Sequence, residues 1–451
     1  MAQPTIQKPN GTRDVIPSQM YKWNTVEAIV KAQAEAYGFR EIRFPTFEDT
    51  GLFVRSVGDT TDVVQKEMYS VTATERTGEQ GTSYTLRPEG TAGTMRALIE
   101  NGLLNEGLPQ KLFYVISCFR HEKPQAGRLR EFHQFGVEMA GTQDPRADAE
   151  VIALGKSILD MAGLKNITLN INSIGCPECR AKYQQALRDY FKPHLDKMCD
   201  TCHSRYEKNP LRLLDCKSEI CSEIAGGAPV ILDYLCEECG THFESLKKYL
   251  TAMGIEFTVN PRIVRGLDYY TKTVFEFISN DIGSQGTVCG GGRYDGLIGQ
   301  LSGKPCPALG FGMGLERLIL TMENQGADFA DEETCDIYIG SMGEAGAVKA
   351  MQLCRELRAD GVRAECDVVG RSVRAQMKYA DKIGAKFSVM IGDSELESGT
   401  AKLKDMQGKS EPADITLGED FGSVFNAMLI TKQLEAEGLD GALTELLGEK
   451  S

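Results

Sequence analysis

The sequence predicts an α+β protein with strand-rich segments flanked by helices, an inserted helical segment and a C-terminal α/β domain. Three observations support this fold class. Two long strand patterns, "KLFYVISCFR" and "LREFHQFGVEMAG", lie close together in the chain. Eight of the fourteen cysteines fall between Gly175 and about Leu250, beside charge-rich helical stretches. After residue 333, short apolar runs alternate with helical patterns, which is typical of an α/β domain.

The first elements form a helix and an interrupted strand. The stretch "WNTVEAIVKAQAEAYGF" has helical apolar spacing, and Gly38 can end it. The apolar residues on one face of this helix are Val26, Ile29, Val30 and Ala34. The next stretch, "REIRFPTFED", predicts a strand interrupted by Pro45, which suits a sheet edge or a bulge.

The middle of the chain alternates strands with glycine-rich turns. "TSYTLRPEGTAGTMRALIEN" predicts a strand, a turn and a helix, and "CPALGFGMGLERLILTM" predicts a strand that runs into a helix. The charged connection "HEKPQAGR" is long for a hairpin loop, and we expect it to reach toward a ligand. In the last domain, "CDIYIGSMG", "VRAECDVV" and "KFSVMIGD" predict strands of a largely parallel sheet.

Composition indicates a soluble protein of several domains. The 451 residues suffice for roughly two to four domains. Hydrophobic residues make up 41% of the chain and charged residues 25%, and no apolar run approaches the ~20 residues that span a bilayer. The N-terminal sequence lacks a secretory pattern, so we expect a cytoplasmic location. The net charge of −14 argues against a generally basic nucleic-acid coat but leaves room for a local basic patch.

Arginines on strand-rich segments are the main candidates for chemistry. The chain has no phosphate loop of the G-x-x-x-x-G-K-[ST] type, no H-E-x-x-H helix and no G-x-S-x-G elbow. The arginines beside glycines or turn residues are Arg87, Arg120, Arg128, Arg265 and Arg317. Because a guanidinium is permanently charged and matches phosphate oxygens with a planar fork, this set indicates a phosphate site.

Four stretches together resemble known signatures. "FRHEKPQAGRLREFHQFGVE" and "GFGMGLERL" are similar to motifs 2 and 3 of the class II aminoacyl-tRNA synthetases. "RGLDYYTKTVFEF" and "GGGRYDGL" resemble the two histidine-binding signatures of the histidyl-tRNA synthetases. The chain is identified as a member of that family, and the resemblance runs nearly from end to end.

The resemblance implies an activity and an architecture. The expected activity is ATP-dependent ligation of L-histidine to tRNA(His), with Mg²⁺, through a histidyl-adenylate. The expected core is a mainly antiparallel class II sheet flanked by helices, in a homodimer whose interface includes motif 1 around "FREIRFPTFED". The implied domains are residues 1–174 (first part of the catalytic core), 175–258 (inserted Cys-rich subdomain), 259–328 (second part of the core), 333–425 (anticodon-binding α/β domain) and 426–451 (helical tail).

The resemblance also assigns roles at the nucleotide. Arg120 and Arg265 are implied to be catalytic groups on opposite sides of the α-phosphate. Arg265 would stand where other class II enzymes hold a metal ion. The other implied ATP contacts are Arg128 and Arg317 on the outer phosphates, Glu122 on the adenine amino group, Phe132 on its ring, and Gly312, with Gly310 and Gly314, where the backbone approaches the nucleotide.

A second set is implied to bind histidine. Its members are Glu89, Thr91 and Gln134 at the α-amino group, Glu138 and Tyr270 at the ring nitrogens, Tyr294 nearby, and Arg265. A pocket that bonds both ring nitrogens leaves polar groups unpaired when another amino acid enters. Such a site can discriminate by about 10⁴-fold or better without an editing domain.

Basic and polar residues are candidates for tRNA contacts. Four cations with spacings of 3, 4 and 4 are expected on one helical face: Arg371, Arg374, Lys378 and Lys382. On a domain that resembles an anticodon-binding domain, we expect this face to bind tRNA. Gln125 and Arg130, in and after the motif 2 loop, are expected to approach the acceptor end.

The cysteines of the insertion have metal-site spacing. One four-cysteine set fits a structural zinc site, which we expect to be remote from catalysis: Cys176, Cys179, Cys199 and Cys202. Four more lie just beyond, so that a second or mixed site remains open: Cys216, Cys221, Cys236 and Cys239. Reduced cysteines without metal are the alternative.

Two other functions compete with that of a synthetase for histidine. The synthetase-like regulatory subunit of ATP phosphoribosyltransferase is a binding module that typically lacks the anticodon domain and has eroded motifs, whereas both are intact in this chain. Another class II enzyme, such as a prolyl or threonyl synthetase, is opposed by both histidine signatures.

Overall fold

The computed structural model describes residues 5–58, 61–71, 83–214, 216, 218–263, 266–281, 286–408 and 411–436. The chain forms two compact units, Met1–Ala330 and Asp331–Ser451. Among the described helices, none combines the length and the apolar character needed to cross a bilayer.

Strands and helices alternate along most of the chain. The strands are β1 (Arg40–Glu41), β2 (Phe47–Asp49), β3 (Ser70–Val71), β4 (Tyr84–Leu86), β5 (Gln110–Phe119), β6 (Glu131–Ala140), β7 (Ile167–Ser173), β8 (Thr258–Val259), β9 (Thr271–Ser279), β10 (Thr287–Arg293), β11 (Ala308–Gly314), β12 (Ile337–Ser341), β13 (Ala364–Cys366), β14 (Phe387–Ile391), β15 (Thr400–Asp405) and β16 (Ala413–Thr416). The α-helices are α1 (Pro17–Ala36), α2 (Thr50–Val57), α3 (Thr91–Glu100), α4 (Pro145–Met161), α5 (Pro177–Phe191), α6 (Asp200–Lys208), α7 (Glu219–Gly226), α8 (Glu237–Ala252), α9 (Leu297–Ser302), α10 (Leu315–Gln325), α11 (Gly343–Ala359), α12 (Val373–Lys382), α13 (Asp393–Ser398) and α14 (Phe421–Ala436).

An eight-stranded sheet with the order β1-β5-β6-β11-β10-β9-β7-β8 forms the centre of the first unit. The pairs from β5 through β7 in this order are antiparallel, and only the edge strands β1 and β8 pair in parallel. The predicted mainly antiparallel sheet is therefore confirmed. Because β6, β11, β10 and β9 are neighbours, the four signature stretches lie side by side.

Successive residues of the long strands face different cores. On β5, Phe113 belongs to the largest apolar core, while Leu112 belongs to a second core on the other face, with Met95 of α3. Helices α1, α4 and α10 pack at the first core, where α1 buries Trp23 and Val30. The predicted first helix is confirmed, and helices cover both faces of the sheet.

The interrupted strand divides between two sheets. β1 pairs with β5 of the large sheet, whereas β2 belongs to a three-stranded sheet with the order β2-β4-β3. Pro45 lies between β1 and β2 and has no backbone N–H to donate, which is consistent with the predicted interruption.

The inserted segment is helical, as the sequence predicted. Helices α5, α6 and α7 pack around a small core of their own. Its large buried side chains include Tyr183, Leu187, Phe191 and Leu213. Helix α8 instead contributes Phe243 and Leu246 to the largest core, packing against α4.

The second unit has a five-stranded sheet with the order β13-β12-β14-β15-β16. The three predicted strands correspond to β12, β13 and β14, and their two pairings are parallel. The expectation of a largely parallel sheet was wrong for half of the pairings, because β15 and β16 extend the sheet with two antiparallel pairings. Helix α14 buries Phe421 and Phe425 in the core of this unit, and residues 437–451 of the predicted tail lie outside the described residues.

Candidate active site

A cavity of about 260 Å³ lies on the large sheet of the first unit. It collects residues from segments far apart in the chain. The predicted site residues that line it are Glu89, Thr91, Arg120, Glu122, Arg128, Phe132, Gln134, Tyr270, Gly312, Gly314 and Arg317. Arg265, predicted as both a catalytic and a histidine-binding residue, lies outside the described residues.

Two arginines of the cavity are held by backbone carbonyls. Arg317, in the first turn of α10, donates from Nε to the carbonyl of Gly127 at 3.0 Å and from Nη1 to that of Thr287 at 2.8 Å. Arg120 donates from Nε to the carbonyl of Pro88 at 2.8 Å. Within the described residues, neither guanidinium forms a salt bridge with a carboxylate. Their charges are thus fixed in position without a direct carboxylate partner, which suits an anion site.

The remaining arginine of the cavity is ion-paired. Arg128 Nε contacts the carboxylate of Glu122, which the family resemblance assigns to adenine. Arg128 also affects Arg317: burial lowers the pKa of Arg317, and the like charge of Arg128 lowers it further. The guanidinium groups of Arg128 and Arg317 repel each other, so an anionic ligand between them would relieve the repulsion.

The motif 2 loop ends in a tight turn. The backbone N–H groups of Gln125 and Arg128 each donate to the other residue's carbonyl, at 3.0 and 2.9 Å, and Gly127 adopts a φ of 67° between them. Gln125 is exposed in this turn. Arg130 instead braces the loop, because its guanidinium donates to the carbonyls of Glu122 and Asn10 at 3.2 and 3.3 Å.

The other polar side chains of the cavity are acidic or uncharged. The carboxylate of Glu89 accepts the backbone N–H groups of Thr91 at 2.7 Å and of Ala92 at 3.0 Å, and burial raises its pKa. Gln134 Oε1 accepts the N–H of Gly90 at 3.2 Å. Carboxylate and amide oxygens of this kind can accept from an ammonium group.

Two predicted histidine-binding residues lie behind the cavity wall. Glu138 is fully buried and accepts from Thr91 Oγ1 at 2.8 Å and from Tyr114 at 3.0 Å. It also accepts from the hydroxyl of the buried Tyr294. Burial raises the pKa of Glu138 well above its usual value. Neither Glu138 nor Tyr294 lines the cavity, so their contact with a ligand stays a prediction.

The glycines of β11 leave room for these polar side chains. A Cβ at Gly312 would lie 2.4 Å from Nε2 of Gln134, and one at Gly310 would lie 2.5 Å from Oε2 of Glu138. The family resemblance implied close approach of these glycines to the nucleotide. The structure supplies a different reason, because a side chain at either position would displace residues of the predicted histidine pocket.

Several lining residues were not predicted from the sequence: Tyr269, Glu276, Thr287 and Glu316. Strand alternation could have found Glu276, because its neighbours Phe275 and Phe277 both face the largest core and leave the glutamate on the cavity face. Tyr269 lies beside Tyr270, with ring centroids 4.7 Å apart.

Glu316 positions β6 from the start of α10. Its two carboxylate oxygens accept the backbone N–H of His133 at 3.0 Å, and one of them lies 2.9 Å from Nδ1 of the same residue. The hydrogen bond with Glu316 raises the pKa of His133. This contact fixes motif 3 against motif 2.

Comparisons with known families and proteins identify the family of this chain. The family described as histidyl-tRNA synthetase matches residues 11–318, and the family described as an anticodon binding domain matches residues 336–420. This chain belongs to the histidyl-tRNA synthetase family. It is 52% identical to the histidine–tRNA ligase of Acetivibrio thermocellus over 91% of this chain and 97% of that protein. It is 55% identical to that of Clostridium novyi over 89% and 94%, respectively.

A solved structure agrees with the family assignment. The apo histidyl-tRNA synthetase of Staphylococcus aureus superimposes with a TM-score of 0.78 at 37% identity, over 93% of this chain and all of that chain. The mixed sheet flanked by helices is therefore the fold of a histidyl-tRNA synthetase.

One arginine proposed for phosphate does not belong to the site of this synthetase. Arg87 is buried, and its guanidinium donates to the carbonyls of Ser117 at 2.7 Å, Phe44 at 2.9 Å and Pro45 at 3.1 Å. It does not line the cavity. The phosphate interpretation of Arg87 was wrong, because its side chain turns inward and satisfies backbone groups around the interrupted strand.

The basic face in the second unit of this synthetase is smaller than predicted. Helix α12 begins at Val373, so Arg371 precedes it and cannot share its face. The guanidinium of Arg371 pairs with Asp367 at 2.8 Å and stacks on Tyr379. The residues of the predicted face that α12 does carry are all exposed: Arg374, Lys378 and Lys382.

The cysteines of this synthetase do not group as their spacing predicted. The predicted set of Cys176, Cys179, Cys199 and Cys202 is divided between two clusters. The first, named the terminal cluster, is formed by Cys176, Cys179, Cys236 and Cys239. The second, named the central cluster, is formed by Cys199, Cys202, Cys216 and Cys221. The spacing within each Cys-x-x-Cys pair was informative, but the folding of the insertion decides which pairs meet.

Proposed function

We propose that this chain ligates L-histidine to tRNA(His) through a histidyl-adenylate, using ATP and Mg²⁺. Charging tRNA with histidine is the activity of the family to which it belongs. The observation that carries the detailed proposal is the single cavity in which carbonyl-held guanidinium groups and an ammonium-compatible polar set lie together.

The first step joins histidine to AMP. An oxygen of the histidine carboxylate attacks the α-phosphorus of ATP, forming an acyl–phosphate bond while the bond to the β-phosphate oxygen breaks and pyrophosphate leaves. The nucleophile is already ionised, so catalysis consists of alignment and of charge stabilisation on the phosphate oxygens. We assign Arg120 and Arg265 to the α-phosphate, Arg128 and Arg317 to the outer phosphates, and Phe132 to the adenine ring.

Glu122 and Arg128 would exchange partners when ATP binds. Glu122 is assigned to the adenine amino group and Arg128 to the phosphates, but without nucleotide the two side chains pair with each other. Nucleotide would give Arg128 a phosphate and leave the Glu122 carboxylate to accept from adenine. Both groups stay paired, so the exchange avoids an uncompensated charge.

Magnesium fits the oxygen donors of the cavity. When bound, Mg²⁺ neutralises charge on the phosphates. The carboxylate of Glu276 lies on the cavity face of β9, near Thr287, with its Oε2 3.4 Å from Thr287 Oγ1. Carboxylate oxygen is the ligand type that Mg²⁺ prefers, so Glu276 is our candidate to hold it.

Histidine would be held by the neutral and acidic side of the cavity. We assign Glu89, Thr91 and Gln134 to the α-amino group and Tyr270 to a ring nitrogen. Glu138, behind the wall, would act on the ring directly or through Thr91, which donates to it.

The second step transfers histidine to tRNA. A ribose hydroxyl at the 3′ end attacks the acyl carbon, the ester forms and AMP leaves. We propose that Gln125 and Arg130 approach the acceptor end, and that Arg374, Lys378 and Lys382 in the second unit bind the tRNA backbone. These three side chains are exposed and share one helix, which supports this assignment.

We further propose a homodimer that includes motif 1. The proposal comes from the family resemblance of that motif, and Phe47 within it is 51% exposed. The domain boundaries predicted from the sequence and the cytoplasmic location also stay predictions. Light scattering of the purified protein at twice the mass of one chain is the expected result for the dimer.

Histidine-dependent exchange of pyrophosphate into ATP tests the first step. We expect exchange with histidine and none with proline or threonine; exchange with another amino acid, or with none, would refute the assignment. Arg317→Gln should raise the KM for ATP by roughly tenfold or more, because it removes a fixed charge from the phosphate site. Arg146→Gln is the control, since that arginine is 72% exposed and pairs locally with Asp144.

A further inference from the structure

The two cysteine clusters have the dimensions of metal sites. In each, the four sulfur atoms lie within 4.8 Å of one another. Tetrahedral zinc with bonds of about 2.3 Å to sulfur requires sulfur atoms about 3.8 Å apart. The Sγ atoms of Cys176 and Cys179 are 3.6 Å apart, and those of Cys199 and Cys216 are 3.8 Å apart. All eight cysteines are free thiols.

The backbone around both clusters supports sulfur ligands. Cys176, Cys199 and Cys236 immediately precede helices α5, α6 and α8. The backbone N–H of Cys236 donates to Sγ of Cys179 at 3.1 Å, and that of Cys199 donates to Sγ of Cys221 at 3.3 Å. Donors aimed at sulfur orient ligands and stabilise the anionic form that binds metal.

The clusters are closed rather than open. In each one, two cysteines are buried and two are half-buried, and all four ligand positions are thiols. A closed tetrahedral set of thiolates is typical of structural zinc, whereas catalytic zinc keeps a position for water. We propose that the insertion binds two structural Zn²⁺ ions, one in the terminal cluster and one in the central cluster.

The central ion would complete a small core. The buried residues Cys202 and Cys221 belong to the apolar core of the insertion, together with Leu187 and Phe191. A core of this size stabilises a helical segment weakly, and a metal bound by four side chains adds binding free energy to folding. The central cluster therefore links α6 and α7 through Cys216, which lies between them.

The terminal ion would act on the histidine side of the active site. It joins the start of α5 to the start of α8, about 60 residues later. From α5, Arg180 donates to the carbonyl of Tyr270 at 3.0 Å. From α8, Glu238 pairs with Lys272 at 2.7 Å. The cluster would thus fix two helices that both contact the start of β9, which differs from the expectation of a site remote from catalysis.

Metal content tests the proposal directly, and it does so independently of the aminoacylation reaction. Elemental analysis of the full chain, purified without chelator, should find about two zinc ions per chain. Well under one zinc per chain, or iron in its place, would overturn the proposal. Stripped protein titrated with Co²⁺ should bind about two equivalents with the visible bands of tetrahedral thiolate coordination; bands of octahedral coordination would also overturn it.

Paired substitutions test how the ligands are divided. The double variant Cys236→Ser/Cys239→Ser and the double variant Cys216→Ser/Cys221→Ser should each retain about one zinc ion. Cys306→Ser, a nearly buried cysteine outside both clusters, should retain two. Full zinc content in either double variant would overturn the assignment of ligands. Cobalt titration of the unmodified chain covers the case in which a variant does not fold.

Kinetics separate the two ions. Loss of the terminal ion should raise the KM for histidine in pyrophosphate exchange by about tenfold, because the support of Tyr270 is lost. Loss of the central ion should leave that KM within about twofold, because the contacts of Arg180 and Glu238 with the β9 region remain. Equal effects of the two double variants on the KM for histidine would refute the positioning role of the terminal cluster.

Discussion

Arg293→Met should destabilise the first unit by about 3–5 kcal/mol, the cost of breaking a buried ion pair from one side. Arg293 is fully buried within the signature "GGGRYDGL", and Asp148 of α4 is 1% exposed. Arg293 Nε donates to Asp148 Oδ1 at 3.2 Å. Its Nη1 donates to the carbonyl of Thr142 at 2.7 Å and to Asp295 Oδ1 at 3.1 Å. Methionine keeps an apolar stem of similar length and removes all of these donors.

The magnitude follows from what remains around Asp148. Burial acts to raise the pKa of Asp148, but the charge and hydrogen bonds of Arg293, together with His242, outweigh it, and the pKa lies below its usual value. In the variant, the nearest remaining partner is His242, whose Nε2 lies 3.5 Å away. One neighbouring imidazole does not replace a guanidinium with two bonds to the carboxylate, so most of the desolvation cost is left uncompensated.

The pH dependence has a definite sign. In the unmodified protein, the depressed pKa of Asp148 stabilises the fold above the unfolded pKa of about 3.9, and this contribution is lost as the pH falls through the folded pKa. In the variant, burial raises the pKa of Asp148, so Asp148 takes up a proton under mildly acidic conditions. The difference in unfolding free energy should therefore be larger at about pH 8 than at about pH 5.5.

Urea unfolding followed by tryptophan fluorescence measures the effect. The only tryptophan of the chain, Trp23, is buried in the same core as the residues that flank Asp148. Arg146→Met, at an exposed pair, should leave the free energy of unfolding nearly unchanged. The double variant Arg293→Met/Asp148→Leu should be more stable than Arg293→Met, since it removes the stranded charge. A cost under about 1 kcal/mol for Arg293→Met, or strict additivity in the double variant, would refute this reasoning.

Two further predictions concern the substrates. Gly312→Ala should raise the KM for histidine roughly tenfold with little change in that for ATP, because the new Cβ displaces Gln134; pyrophosphate exchange measures both. Arg374→Ala/Lys378→Ala should weaken tRNA charging and spare adenylate formation. The slope of log binding constant against log salt for tRNA should become less steep by roughly 0.7 to 1 for each lost contact.

Matched controls exist for both predictions. Gly314→Ala lies on the same strand, where a Cβ meets nothing closer than Arg317 at 4.0 Å, so its KM for histidine should not change. Lys402→Ala removes an exposed cation of the second unit that pairs with Asp414 at 2.9 Å, and the salt slope should not change. A shift in either control as large as in the test variant would count against the assigned contacts.

The sequence was most informative where a pattern is local. Helix α1 and the strands β5 and β6 were predicted because the spacing of their apolar residues matches the side-chain period of a helix or a strand, which requires no knowledge of distant partners. Strand β15 was missed although its burial alternates along "TAKLKD". Its outward positions include Lys402 and Lys404, and two lysines in six residues look like a solvated loop until the pairing with β14 is known.

Partners brought together by folding were the main source of error. The Cys-x-x-Cys spacing places two thiols at one helix start, but it does not select among other pairs in the segment. Cys236 follows the helices α5, α6 and α7 in the chain, and the packing of the insertion brings it to Cys176 in the terminal cluster. The placement of Arg371 on α12 was also wrong because of a contact that the pattern did not reveal. The backbone N–H of Arg371 donates to the carboxylate of Asp367, and the helix begins only at Val373.

Arg87 and Arg317 show what separates a structural arginine from one in a binding site. Burial lowers the pKa of both, and both donate to backbone carbonyls, so neither burial nor hydrogen bonding distinguishes them. Their charged neighbours do. Arg317 lies near the like charges of Arg128 and Arg120, which lower its pKa further although Glu122 and Glu276 act in the opposite direction, whereas no cation is among the groups that shift the pKa of Arg87. A fold gains no stability from repulsion between guanidinium groups, so the grouping of three of them in one cavity indicates an anionic ligand.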